Sequence, residues 1–185
     1  ELYRHIQASE LIVVDHPWYH EGFILDQVEF LPSWIIHWLR ETYLKCAKKF
    51  DSNEKIYIDR TESKFNHCQI QNDNEIFDFL KEKGFSKYKV GKLSFFEQIY
   101  LFSNAKIIIG AHGAAFTNLT FCEPNTKIIE IRPSTQQNNN YKRISHIGNL
   151  NYRLIKTKEL DEIQKKSGDI YLPIKELENC IKSFA

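Results

Sequence analysis

Between Lys106 and Pro133 two apolar runs bracket a glycine turn, and this stretch constrains the fold more than any other. The first run, Ile107 to Ile109, meets Gly110-Ala111-His112-Gly113, and the small residues Ala114 and Ala115 follow. Helix-compatible sequence continues to Phe121, Pro124-Asn125 breaks the chain, and the second run spans Ile128 to Ile131. The spacing predicts a strand, a turn, a helix and a second strand parallel to the first. In such a unit the helix N-terminal N–H groups lie just beyond the strand end, unpaired and partly positive, where a phosphate fits. Small side chains there let a ligand approach the backbone. Gly-x-His-Gly alone is a weak signal, and a tight turn that holds no ligand is an equal reading of it.

Elsewhere the chain repeats the alternation. Strands are expected at Leu11–Val14, Lys55–Asp59, Tyr88–Val90 and Tyr152–Ile155, with a last extended piece at Ile170–Leu172. A helix is expected from Pro32 towards Asp51-Ser52-Asn53, with Trp34, Ile35, Trp38, Leu39, Tyr43 and Cys46 at helical spacing as its core face. Three more are expected: Glu75–Leu80 closed by Gly84, a helix capped by Ser94 and Glu97 and running towards Asn104, and Tyr141–Ile147. Pro173 to Phe184 reads as the closing helix. The strands are continuous apolar runs rather than alternating ones. They imply a mostly parallel, Rossmann-like α/β sheet with helices on both faces. No repeat or linker divides residues 1–185, so a single domain is expected. Sheets of this kind bind ligands beyond the C-terminal strand ends, at the point where the strand order reverses. Arg60 and His112 both follow strand ends and are expected on the same rim.

Several function classes are disfavoured. A net charge of +1 with no basic face argues against general nucleic-acid binding. No apolar run reaches the roughly 18 residues that a membrane span needs. The chain has no Cys-x-x-Cys pair and no Asp-x-Asp pair, so no metal site is expected. His16 and His20 have helical spacing, but Pro17 and the missing third ligand argue against a metal there as well. Cys46, Cys68, Cys122 and Cys180 read as thiols of a reducing compartment, with two disulfides as the alternative. With no Met and no signal peptide at its start, the chain reads as a processed or excised piece. A nicotinamide dehydrogenase is disfavoured because no Gly-x-Gly-x-x-Gly follows the first strand.

Three pieces in order resemble the characteristic half of the family 61 glycosyltransferases. They are Arg60 with Asn72 and Glu75; Leu93-Ser94-Phe95-Phe96-Glu97-Gln98; and Gly110-Ala111-His112-Gly113-Ala114 with Thr117-Asn118, Pro124 and Ile129-Glu130-Ile131. The resemblance implies an inverting glycosyltransferase of the two-Rossmann-domain, GT-B type. This chain is similar to the C-terminal, donor-binding domain, and the acceptor-binding N-terminal domain lies outside it. The implied donor is a nucleotide sugar, usually a UDP-sugar, with no metal cofactor. The implied acceptor is a glycan or a protein-linked sugar, as in polysaccharide biosynthesis. The implied location is cytoplasmic in a bacterium, or the ER or Golgi lumen in a eukaryote. Cys68-Gln69 stand where the family often carries an Arg pair, Ala115 replaces the second glycine of the turn, and Gly91-Lys92 replaces a common Pro-Glu.

On this reading Arg60, and Lys64 as a substitute point charge, clamp the diphosphate. His112 donates to the diphosphate or the sugar, and His112 and Arg60 are the candidates for transition-state stabilisation. Gly110, Gly113, Ala114 and Ala115 bring backbone close to the ligand, and Thr117 and Asn118 bond phosphate oxygens or pin the turn. Glu97 and Glu130 are candidates for the ribose hydroxyls. A capping role for Glu97, and a pairing of Glu130 with Lys127 or Arg132, are the structural alternatives. A non-catalytic binding module that keeps the fold is the competing function, and the Cys68-Gln69 departure is its best support.

Overall fold

The structure is a computed structural model that describes residues 9–10, 30–61, 68–157 and 169–184. The strand expected at 11–14, the pair His16 and His20, and Lys64 lie outside the described residues. Five strands form one all-parallel sheet: β1 Lys55–Ile58, β2 Ser86–Tyr88, β3 Ile107–Ala111, β4 Lys127–Pro133 and β5 Asn151–Thr157. Their order is β2-β1-β3-β4-β5. The order reverses between β1 and β3, and that is the switch point of a doubly wound sheet.

Burial explains why the strands read as unbroken apolar runs. Every residue of β3 is buried. Ile108 faces one hydrophobic cluster with Ile56, Ile128, Ile99 and Phe102, while Ile107 and Ile109 face another with Tyr57, Ile129 and Ile131. Helices α1 Ser33–Tyr43, α3 Phe95–Asn104 and α4 Asn140–Ile147 cover the first cluster. Helices α2 Asp73–Glu82 and α5 Ile174–Lys182 cover the second. Gly84 follows α2 at φ 81°, a left-handed position that a residue without Cβ takes at no cost.

Three expectations are corrected. The strand at 88–90 ends at Tyr88: β1 stops at Ile58, the last cross-strand bond is from Asp59 N–H to Tyr88 O, and Val90 turns into the core in a 3-10 turn. The long aromatic helix stops at Tyr43, and its Trp34 and Trp38 are 56% and 52% exposed rather than in the core. It docks instead through Ile36 and through Arg40, which donates to Thr120 O at 2.9 Å and Cys122 O at 2.5 Å. Those two bonds fix which face of α1 lies inward. The segment Ala114–Phe121 is a 3-10 helix rather than an α-helix. None of the four cysteines is in a disulfide. No helix among the described residues is long and apolar enough to cross a membrane.

The cap of α3 forms as its sequence indicates. Ser94 accepts from the Glu97 N–H, and the Glu97 carboxylate accepts from the Ser94 N–H at 2.9 Å and from Lys48 Nζ at 2.9 Å. These bonds hold the Glu97 carboxyl down at about 2. The folded value lies below the unfolded one near 4.5, so the contribution is complete above about 4.5 and is lost as pH falls towards 2. Ser94→Ala is expected to destabilise the fold by about 1 kcal/mol near neutral pH. A melting point matching wild type at pH 7 would contradict it.

Candidate functional site

The site stands on the rim where β1 and β3 end side by side. Ile58 pairs with Gly110 across the two strands. A Cβ at 110 would lie 2.9 Å from Ile58 Cβ and 3.3 Å from the Phe116 ring, so the glycine lets the two strand ends and the turn close together. After β1 the Asp59 carboxylate accepts the Thr61 N–H at 2.8 Å, turning the chain over the rim. Arg60 then reaches across the switch point, and its Nη1 donates to the His112 carbonyl. The guanidinium lies on Gly113, where any Cβ would overlap it. Gly113 has extended backbone at φ 164°, so space and not conformation selects glycine there. Burial lowers the Arg60 value, but an Arg starts so high that it stays charged.

His112 is held from two sides. Its Nδ1 lies 2.5 Å from Glu130 Oε1, and its Nε2 lies 3.2 Å from the Gln136 amide nitrogen. Glu130 sits in β4 beside Gly110, is 1% exposed, and accepts the Tyr152 hydroxyl at its other oxygen. Burial and the Glu130 carboxylate push the Tyr152 phenol far up, so it stays a donor. The Tyr141 ring lies 5.0 Å from His112 and 5.4 Å from Phe116, and burial raises its hydroxyl to about 12. Arg132, also buried, donates to Asn138 O and braces the loop that carries Gln136.

The structure therefore brings Arg60, Gly110, His112, Gly113 and Glu130 together. Ala114 and Ala115 open the 3-10 helix directly after Gly113. The Thr117 hydroxyl donates to Ala114 O at 2.7 Å, and Asn118 Nδ2 donates to Ala115 O at 3.2 Å and to Gln98 Oε1 at 3.0 Å. Both side chains pin the turn. Glu97 holds the α3 cap, and the two Glu130 oxygens are engaged by His112 and Tyr152, so each carboxylate has a structural partner in place. The Lys127 and Arg132 pairings anticipated for Glu130 give way to His112 and Tyr152 because β5 places Tyr152 beside it. Cys68, at the place of the family's Arg pair, is buried, and burial raises its thiol to about 11 against the pull of Arg60. Gln69 donates to Arg60 O at 3.1 Å and so braces the cation instead of adding one.

Gln136, Tyr141 and Tyr152 were not singled out from sequence. Gln136 lies in a polar run, and Tyr152 reaches Glu130 only through the β4–β5 register, Ile128 against Tyr152 and Glu130 against Leu154. Asn72 bonds both ways with Leu172, so its place in the motif serves the packing of the 170–172 segment.

The arrangement offers one charged fork, a row of small residues and a buried histidine at the edge of a parallel sheet. The glycosyltransferase 61 family profile matches residues 2–129 of this chain. The beta-1,2-xylosyltransferase RCN11 of Oryza sativa subsp. japonica is 32% identical over 135 residues, which cover 72% of this chain and 22% of that protein. The chain thus matches about a fifth of that relative's length.

Proposed function

The chain belongs to glycosyltransferase family 61, and on that premise we propose that it is the nucleotide-sugar-binding part of a glycosyltransferase. The observation that carries this reading is the Arg60 guanidinium lying on Gly113 at the switch point, beside the 110–118 turn. A diphosphate there meets a planar cation and the backbone N–H groups that open the Ala114–Phe121 segment. As the bond to the anomeric carbon breaks, negative charge grows on the leaving diphosphate oxygen. Arg60 offsets that charge without needing a metal. Gly113, Ala114 and Ala115 keep the approach open, while Thr117 and Asn118 hold the turn rigid. On this reading the chain is the donor half of a GT-B enzyme that transfers, with inversion, from a UDP-sugar donor to a glycan or protein-linked acceptor docked on another part of the enzyme. The name of the rice relative makes UDP-xylose the first donor to try. The competing reading is a binding module without chemistry, since Gln69 supplies no second cation.

Calorimetric titration with UDP tests the proposal. Losing one charge-assisted contact costs about 1.5–3 kcal/mol, so Arg60→Ala is expected to weaken UDP about ten- to a hundred-fold. His112→Ala should lose less, and EDTA should change neither protein. Unchanged affinity in Arg60→Ala removes it from the site, and loss of binding in EDTA overturns the metal-free reading. Absence of any UDP binding, or of a thermal shift with it, favours the non-catalytic module.

A further inference from the structure

His112 has one nitrogen turned inward and one turned to the rim, and the groups around it decide which of them carries the proton. Glu130 Oε2 already accepts the Tyr152 hydroxyl. Its Oε1, 2.5 Å from Nδ1, is left to accept, so the ring proton belongs on Nδ1. On the other side the Gln136 amide nitrogen, a donor, stands 3.2 Å from Nε2, so Nε2 accepts. The two contacts agree on one neutral tautomer. The remaining polar neighbours do not oppose it: Arg60 binds the His112 carbonyl, and the Tyr141 ring lies 5.0 Å away, tilted 51° to the imidazole. Arg132 is turned to Asn138, and the Cys68 thiol is protonated by burial.

We propose that Glu130 is a positioning residue of the donor site, acting through His112, and that His112 thereby reads a ligand hydroxyl and not the diphosphate. The Glu130 carboxylate holds the Nδ1 proton and Tyr152 holds the carboxylate. Nε2 then faces the rim as an acceptor. The diphosphate of a nucleotide sugar, esterified at both ends, has no proton to offer it at neutral pH, whereas a ring hydroxyl of the ribose or of the transferred sugar has one. That hydroxyl replaces the Gln136 amide on Nε2. The inference rests on the donor reading for the ligand's identity, but the tautomer stands on the protein alone.

Two measurements test it. Nitrogen-15 NMR of the imidazole in the ligand-free protein is expected to show His112 protonated at Nδ1 and bare at Nε2. Glu130→Gln keeps an acceptor and should keep this signature, whereas Glu130→Leu should lose it. An Nε2-protonated ring in wild type overturns the proposal, and so does an unchanged ring in a folded Glu130→Leu protein. The second measurement compares His112→Ala with wild type against UDP-xylose, UDP, 2′-deoxy-UDP and inorganic diphosphate. Loss of a neutral hydrogen bond should weaken the hydroxyl-bearing ligand about three- to tenfold and leave inorganic diphosphate unchanged. A loss seen with UDP-xylose but not UDP assigns the hydroxyl to the transferred sugar. A loss shared by UDP and absent from 2′-deoxy-UDP assigns it to the ribose. An equal loss with inorganic diphosphate overturns the hydroxyl contact while leaving the donor reading intact. Wild type that binds none of the four overturns the donor reading and the hydroxyl contact together, while the tautomer is decided by the NMR measurement.

Discussion

Alanine at position 113 is expected to weaken UDP about ten- to a hundred-fold, as much as removing the Arg60 guanidinium itself. The reason is spatial. Gly113 is extended, a conformation any residue adopts, so alanine brings no backbone strain. It does bring a methyl group into the volume that Arg60 Nη1 occupies against the His112 carbonyl. Arg60 is a long side chain on the turn after β1 and can swing outward. The fold should therefore survive with its melting point nearly unchanged, while the cation leaves the switch point. Isothermal calorimetry with UDP, beside a thermal melt, checks both halves. The double variant Gly113→Ala with Arg60→Ala should bind no more weakly than either single one, because both remove the same contact. Full additivity, or wild-type affinity in Gly113→Ala, would show that the Arg60–Gly113 contact has no part in binding.

The residues that carry this contact were legible in the sequence, and the reason is local. A β-branched run followed by Gly110 and Gly113 fixes a strand end, and Arg60 follows a second such run. A parallel sheet puts both ends on one rim whatever the intervening helices do. The order β2-β1-β3-β4-β5, which makes β1 and β3 neighbours, is a property of the whole sheet and no short motif states it. What sequence could not supply was pairing across strands. Glu130 is a candidate ligand contact on the family resemblance, with a pairing to Lys127 or Arg132 as the structural alternative. It is instead 1% exposed, because its neighbours on β3 and β5 bring His112 and Tyr152 to its two oxygens. The misjudged face of α1 has the same origin. Periodicity showed an aromatic stripe, but the Arg40 bonds to Thr120 O and Cys122 O, 80 and 82 residues away, choose which stripe is buried. For Ala114–Phe121, small residues and a Thr117 hydroxyl bonded to Ala114 O favour the tighter helix, where composition alone suits either form.

Phe116 carries the second large effect, and it falls on stability rather than on a ligand. The ring is fully buried, 3.3 Å from where a Cβ on Gly110 would stand and 5.4 Å from the Tyr141 ring. Tyr141 in turn lies against His112. One phenyl group thus fills the space between β3, the 3-10 segment and α4, directly beneath the rim. Phe116→Ala should destabilise the fold by about 3–5 kcal/mol, transfer and cavity contributions together. For a chain of this length each kcal/mol moves the midpoint by about 2–4 °C, so the melting point should fall by roughly 6–20 °C. The loss should be structural first. Phe116→Leu, which keeps much of the volume, should recover most of the stability and also UDP binding, because the Phe116 N–H bond to Gly113 O is a backbone bond that leucine keeps. Urea denaturation of the two variants, followed by UDP titration of whichever is folded, separates the cases. A Phe116→Ala protein as stable as wild type would mean that the turn is not supported from below. A stable Phe116→Leu protein with lost UDP binding would place the ring in the site itself.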